Sequence, residues 1–175
     1  LWVAGYLRDV GGIEPRIIDS LADGLDLEDL REIIEKEAPD AVGFSVLTFN
    51  MLDCLEVTRI IRLVSPETKI VFGGFHPSLY PEETLAFEDV DFVVFGEGEL
   101  TFNELIQTLQ KHPDGAPLDA ALAEIHGLAW TDRDGQSHFN EKRKPPNSGN
   151  LDYLAQPAHD LVDLEKYSVI NSFGS

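Results

Sequence analysis

Short apolar runs alternate with amphipathic ones along the first two-thirds of the chain. Ala41-Val42-Gly43-Phe44-Ser45-Val46, Lys69-Ile70-Val71-Phe72 and Asp91-Phe92-Val93-Val94-Phe95 are continuous apolar runs of strand length, the pattern of strands covered on both faces. Arg16-Ile17-Ile18-Asp19 is a further, shorter strand candidate. Between these runs the apolar residues fall at helical spacing. Leu27, Leu30, Ile33 and Ile34 predict a helix that Asp26 can cap, with Glu28 and Asp29 in its favourable first turn and Ala38-Pro39 at its end. Leu52, Leu55, Ile60, Ile61 and Val64 predict a second helix from about Asn50 to Val64, stopped by Ser65-Pro66. Pro81 followed by Glu82 and Glu83 marks the first turn of a short one. Phe102, Leu105, Ile106 and Leu109 predict another, with the capping-box spacing of Thr101 and Glu104 at its start and His112-Pro113 at its end. Leu1, Trp2, Ala4 and Leu7 form a helix-like phrase around Gly5.

Two-sided strands separated by amphipathic helices predict an α/β fold with a parallel sheet between two helix layers. Right-handed crossovers make it doubly wound, and four strand–helix cycles less one strand suit the flavodoxin-like, Rossmann-like variant. The helix at Leu1 is then the first crossover, with its strand truncated or upstream. A start without methionine and a close on the apolar phrase Tyr167–Phe173 read as a piece cut from a longer polypeptide. After Pro117 the pattern changes. Gly127-Leu128-Ala129-Trp130-Thr131 and Gln136-Ser137-His138-Phe139 flank Asp132-Arg133-Asp134-Gly135, an Asp-Gly turn signal that predicts a β-hairpin. Lys142-Arg143-Lys144-Pro145-Pro146-Asn147-Ser148-Gly149 is a polar connector. The expected organisation is an α/β domain over 1–117, a helix and β-hairpin appendage over 118–149 and a linker over 150–175.

Charge and cysteine usage narrow the function. The 175 residues carry 13 basic and 32 acidic side chains, a net charge of −19. Such a chain repels polyphosphate, so nucleic acid and anionic membrane surfaces are poor partners. No apolar run approaches the ~20 residues of a membrane span. The single cysteine, Cys54, excludes an internal disulfide, a cysteine-rich zinc site and a three-cysteine cluster within the sequence, and points to the cytoplasm. Cys54 is read as a small core residue on its helix, and the acid-rich stretch Glu28–Glu37 as a solvated helix face. Lys142-Arg143-Lys144, a basic trio in an acidic chain, is either a solvated connector or docks on an acidic surface.

In an open parallel sheet, ligands bind beyond the carboxyl ends of the strands. Three such ends give way to hydroxyls or glycines: Ser45-Val46-Leu47-Thr48, Gly73-Gly74-Phe75-His76-Pro77 and Gly96-Glu97-Gly98-Glu99. They should line one rim. Gly96-x-Gly98 is half of a dinucleotide fingerprint, but Thr101 stands at the third glycine position, and Glu97 and Glu99 would oppose a pyrophosphate. A phosphoacceptor site needs an aspartate where Ser45 stands and a lysine after Phe95, and has neither.

These three phrases, above all Gly-Gly-Phe-His-Pro followed by Gly-Glu-Gly-Glu, resemble the cobalamin-binding domain of cobalamin-dependent radical S-adenosylmethionine enzymes. That group includes the anaerobic magnesium-protoporphyrin IX monomethyl ester oxidative cyclase and many methyltransferases. The resemblance extends through the hairpin and the approach Asp160-Leu161-Val162-Asp163-Leu164-Glu165-Lys166-Tyr167, which in the family leads to the CxxxCxxC loop of the catalytic barrel. It implies a cobalamin cradle made of Ser45, Leu47, Thr48, Gly73, Gly74, Phe75, His76, Pro77, Gly96, Glu97, Gly98 and Glu99. It also implies a 4Fe-4S cluster and S-adenosylmethionine bound further along the parent chain, with no catalytic side chain and no metal ligand in this stretch. The parent would be an oxidoreductase or methyltransferase, with the downstream barrel as this segment's partner. None of His76, His112, His126, His138 and His159 sits in the Asp-x-His-x-x-Gly pattern that coordinates cobalt from below. His76 is read either as a ligand contact or as a loop histidine that packs locally. Tyr167 and Phe173 are expected to pack against the following barrel. The competing expectation is a flavodoxin-like interaction or sensing module that binds no cofactor.

Overall fold

The structure, a computed structural model, describes residues 1–112, 116–144 and 154–167. Helix α1 (Trp2–Asp9) and the single turn α2 (Ser20–Asp23) precede α3 (Leu27–Glu37). Three strand–helix units follow: β1 (Ala41–Ser45) with α4 (Met51–Val64), β2 (Lys69–Gly73) with the short α5 (Phe75–Leu79) and α6 (Pro81–Leu85), and β3 (Phe92–Val94) with α7 (Gly98–Lys111). Helix α8 (Ala116–Leu122) leads into the hairpin of β4 (Leu128–Thr131) and β5 (Ser137–Phe139).

All five strands belong to one sheet in sequence order. The first three run parallel, with Ser45 beside Gly73 and Val71 beside Phe92. The hairpin continues the sheet: β4 lies antiparallel to β3 and β5 antiparallel to β4. Its turn is built as the Asp-Gly signal predicts, with Asp132 accepting the Asp134 and Gln136 amides and Gly135 at φ 81°.

Side-chain alternation along the strands feeds two cores, so both faces of the sheet are covered. Ile70, Phe72, Val93 and Ala129 meet Ile34 of α3, Leu55 and Ile61 of α4 and Leu85 of α6. Val71, Phe92, Val94, Leu128 and Trp130 point the other way, to Leu105 of α7 and Leu122 of α8. This is the doubly wound α/β arrangement that the apolar pattern predicts.

Local signals place most helix ends correctly. Asp26 caps α3 in a full capping box with Asp29, and α3 buries only Ile34, leaving its acidic side in water. Pro81 is the first residue of α6.

Two expectations fail. Arg16–Asp19 forms no strand: Arg16 pairs with Glu37, and Asp19 caps α2 by accepting the Ala22 amide. Helix α7 starts at Gly98 rather than near Thr101, and Thr101 and Glu104 form no capping box. Thr101 instead donates to the His126 carbonyl at 2.8 Å and accepts from Arg143 Nε at 2.9 Å, and Glu104 pairs with Arg143. These long-range bonds claim the side chains that sequence spacing assigns to a cap.

The basic connector therefore docks on α7 through Arg143, with Glu104 as its acidic partner; its residues 145–149 lie outside the described ones. Residues 154–167 run back over the start of the chain. The Ala158 amide donates to the Leu1 carbonyl at 3.2 Å, and Arg8 pairs with Asp160 at 2.6 Å. Tyr167 donates its hydroxyl to Asp19 at 2.8 Å, a partner within the chain; Phe173 lies outside the described residues.

Candidate functional site

The carboxyl ends of β1, β2 and β3 lie side by side because those strands are parallel neighbours. Beyond β1, the Leu47 amide donates to Asn50 Oδ1 at 2.8 Å, closing a tight turn over Thr48–Asn50. This leaves Ser45, Thr48 and Phe49 exposed and Leu47 half-buried. Phe49 is 82% exposed.

Beyond β2 the chain turns at Gly74, whose φ of 104° is one that side-chain-bearing residues rarely adopt. A Cβ there would lie 2.8 Å from the Val46 carbonyl oxygen. The close approach ties this turn to the first: the Val46 amide donates to the Gly73 carbonyl at 2.7 Å, and the His76 amide to the Val46 carbonyl at 3.2 Å. His76 is 7% exposed and packs against Tyr80, with ring centroids 5.2 Å apart. Its Nδ1 shares a 3.2 Å hydrogen bond with the Thr48 hydroxyl, and its Nε2 is buried without a partner among the described residues. Pro77 is buried beside it, while Phe75 stands 76% exposed.

The third turn opens at Gly96, φ 85°. Its amide donates to the Ser78 hydroxyl at 2.9 Å, and that hydroxyl donates to the Gly74 carbonyl at 2.7 Å. The side-chain stem of Lys142 crosses the Gly96 turn: a Cβ on Gly96 would lie 3.3 Å from Lys142 Cε. Gly98 is half-buried and Glu97 exposed. Glu99 is buried in the first turn of α7, where the helix dipole favours a carboxylate.

The structure thus brings the sequence-predicted residues onto one continuous edge. Four further residues shape it: Asn50 and Ser78, which fix the turns, Phe49, which adds an apolar surface, and Lys142, which comes from beyond the hairpin. Phe49 adjoins a turn that the sequence does single out; the roles of Ser78 and Lys142 depend on contacts 18 and 46 positions away and leave no local signal.

The edge fits the flat, amide-bearing ligand that the resemblance implies. Ser45 and Thr48 offer exposed hydroxyls, and Phe49 and Phe75 offer apolar surface. The buried His76 Nε2 is a polar group without a partner among the described residues. A hollow of about 630 Å³ opens at the opposite end of the sheet, lined in part by Lys69, Phe92 and Trp130, and shares no residue with the rim. Among the described residues no three His, Cys, Asp or Glu side chains could together hold a metal ion, and no helix is long and apolar enough to cross a membrane.

The chain is 34% identical to an uncharacterized methyltransferase of Pyrococcus horikoshii over 95% of its own length and 34% of the relative's. It is 35% identical to the anaerobic magnesium-protoporphyrin IX monomethyl ester cyclase of Synechocystis, over 96% of this chain and 32% of that one. It thus spans about a third of the length of these relatives. Among solved structures, the cobalamin-dependent S-adenosylmethionine radical enzyme OxsB with aqua-cobalamin bound superposes with a TM-score of 0.75 at 22% identity, over 96% of this chain and 22% of that one. The radical S-adenosylmethionine methyltransferase TsrM of Kitasatospora setae gives 0.64 at 20% identity, over 91% of this chain and 29% of that one. Residues 1–106 match the model of the B12 binding domain family, and with the relatives' identity and coverage this places the chain in that family.

Proposed function

We propose that the chain holds a corrinoid at the carboxyl edge of its sheet and presents it to a radical S-adenosylmethionine barrel further along the parent polypeptide. The observation that carries this reading is the bonding of three separate turns into one edge: Thr48 to His76, Val46 to Gly73 and Ser78 to Gly96. A corrinoid bound there supplies cobalt able to carry a methyl group or tune radical chemistry.

This chain's residues bind and orient. Ser45 and Thr48 are placed to hydrogen-bond the nucleotide tail or ring amides, so that polar groups are not buried unpaired. Gly73 leaves the end of β2, between Phe44 of β1 and Val94 of β3, without a side chain where the tail would pass, and Gly74 lets the following turn close on Val46. Leu47, Phe75 and Pro77 supply apolar contact beside His76. The exposed carboxylate of Glu97 and the backbone at Gly98 are the parts of the third turn available to the amide-decorated periphery, while buried Glu99 supports the turn from the start of α7. No side chain here performs the chemistry.

The 4Fe-4S cluster and S-adenosylmethionine belong to the barrel, and methyl transfer and cyclisation are the two outcomes the relatives' names support, the cyclisation being oxidative in this reading. The acidic charge disfavours nucleic acid as a partner, and a cytoplasmic address accompanies the reading. Absorbance titration of the chain with hydroxocobalamin and methylcobalamin tests it. Saturable binding at micromolar to high-micromolar ligand is expected; a flat titration of folded protein refutes the proposal in favour of a cofactor-free interaction module.

A further inference from the structure

The family match ends at residue 106, yet part of the rim comes from residues beyond it. After the hairpin, the Gly127 amide donates to the Glu141 carbonyl at 2.8 Å while the Phe95 amide donates to the Gly127 carbonyl at 2.9 Å. Arg143 is anchored on α7 through Thr101 and Glu104. Lys142, between these anchors, has its stem over the Gly96 turn. Arg143's charge is neutralised by Glu104. Lys142 is exposed and forms no ion pair among the described residues. Lys142 therefore brings an unpaired cation to the Gly96 turn, which continues into Glu97.

A complete corrinoid carries one fixed anion, the phosphodiester of its nucleotide loop. An acidic rim in a chain of net charge −19 repels that group unless a cation stands beside it. We propose that Glu141–Lys144 forms a wall of the corrinoid site and that Lys142 receives the phosphodiester, selecting corrinoids that keep their nucleotide loop. The inference rests on the corrinoid reading above.

The test compares two ligands on the chain and its Lys142→Ala, Lys142→Glu and Lys142→Arg variants: hydroxocobalamin, which has the phosphodiester, and dicyanocobinamide, which lacks it. For hydroxocobalamin we expect Kd to rise about fivefold in Lys142→Ala and on the order of thirtyfold in Lys142→Glu, with Lys142→Arg near the parent and the differences narrowing at high salt. For cobinamide the variants should stay within about twofold of the parent. Equal losses for both ligands would reduce Lys142 to a packing stem, and no loss for either would remove it from the site; each result overturns the inference while leaving corrinoid binding intact. An unaltered chain that binds neither ligand overturns both proposals. Unchanged thermal melting of the variants confirms that binding, not folding, is being read.

Discussion

The Ser78 hydroxyl accepts the Gly96 amide at 2.9 Å and so joins the turn after β2 to the turn after β3. Because it also donates to Gly74, one side chain holds two glycine turns in register, across 18 positions of sequence. Removing it leaves the Gly96 amide without that acceptor. Ser78→Ala should lower unfolding stability by about 1–2 kcal/mol, the usual cost of a half-buried hydrogen-bond pair. Corrinoid affinity should fall as well, since the two turns are no longer fixed together. Chemical denaturation and a hydroxocobalamin titration on the same variant check both effects.

The adjacent glycines separate folding from binding. At Gly74 an added Cβ meets the Val46 backbone at 2.8 and 2.9 Å, at a φ of 104°. Neither backbone can yield cheaply, so Gly74→Ala should cost on the order of 2–4 kcal/mol in urea denaturation. At Gly73 the same Cβ finds its nearest neighbours at 3.5 to 3.9 Å, ordinary contact distances. Gly73→Ala should therefore melt within a few degrees of the parent while binding corrinoid at least tenfold more weakly, because the methyl group stands where the tail would pass. A Gly73→Ala protein that folds and binds normally would show that the tail passes elsewhere.

The hairpin carries an acid-sensitive contact. His138 Nε2 lies 2.6 Å from Asp132 Oδ2, and its ring stacks on Trp130 with centroids 4.9 Å apart. That hydrogen bond, with help from the Gln136 amide, holds the Asp132 carboxyl below the usual aspartate range. A carboxyl whose folded pKa is depressed stabilises the fold above its unfolded value, near 4, and loses that contribution as pH falls through the folded one. Between pH 6 and pH 3 the parent should lose more stability than Asp132→Asn. Melting temperatures across that range give the comparison, and parallel curves would count against the contact.

Cys54 should be chemically quiet. It lies half-buried on α4 against the core, and burial, with Asp53 nearby, pushes its thiol up to about 11. Thiolate is scarce at pH 8, so an aromatic disulfide reagent should react at least a hundredfold more slowly with the folded chain than with the same chain in denaturant. Equal rates would show that the α4 face opens freely.

The sequence by itself determined the alternation of strands and helices, the α3 cap at Asp26, the Asp-Gly hairpin and the three turns that end in small or hydroxyl residues. Each is written within a few consecutive positions, because strand pleat, helical turn and capping act over that range. Tertiary structure decided what no local period encodes. It left Arg16–Asp19 unpaired as a strand, since strand pairing needs an adjacent backbone edge and Asp19 is engaged at α2 and Tyr167. It moved the start of α7 to Gly98 by giving Thr101 and Glu104 to Arg143, 42 and 39 positions away. It also laid Lys142 over Gly96. A hydrogen bond or contact between distant segments depends on where the sheet carries them, and that position emerges only when both cores close.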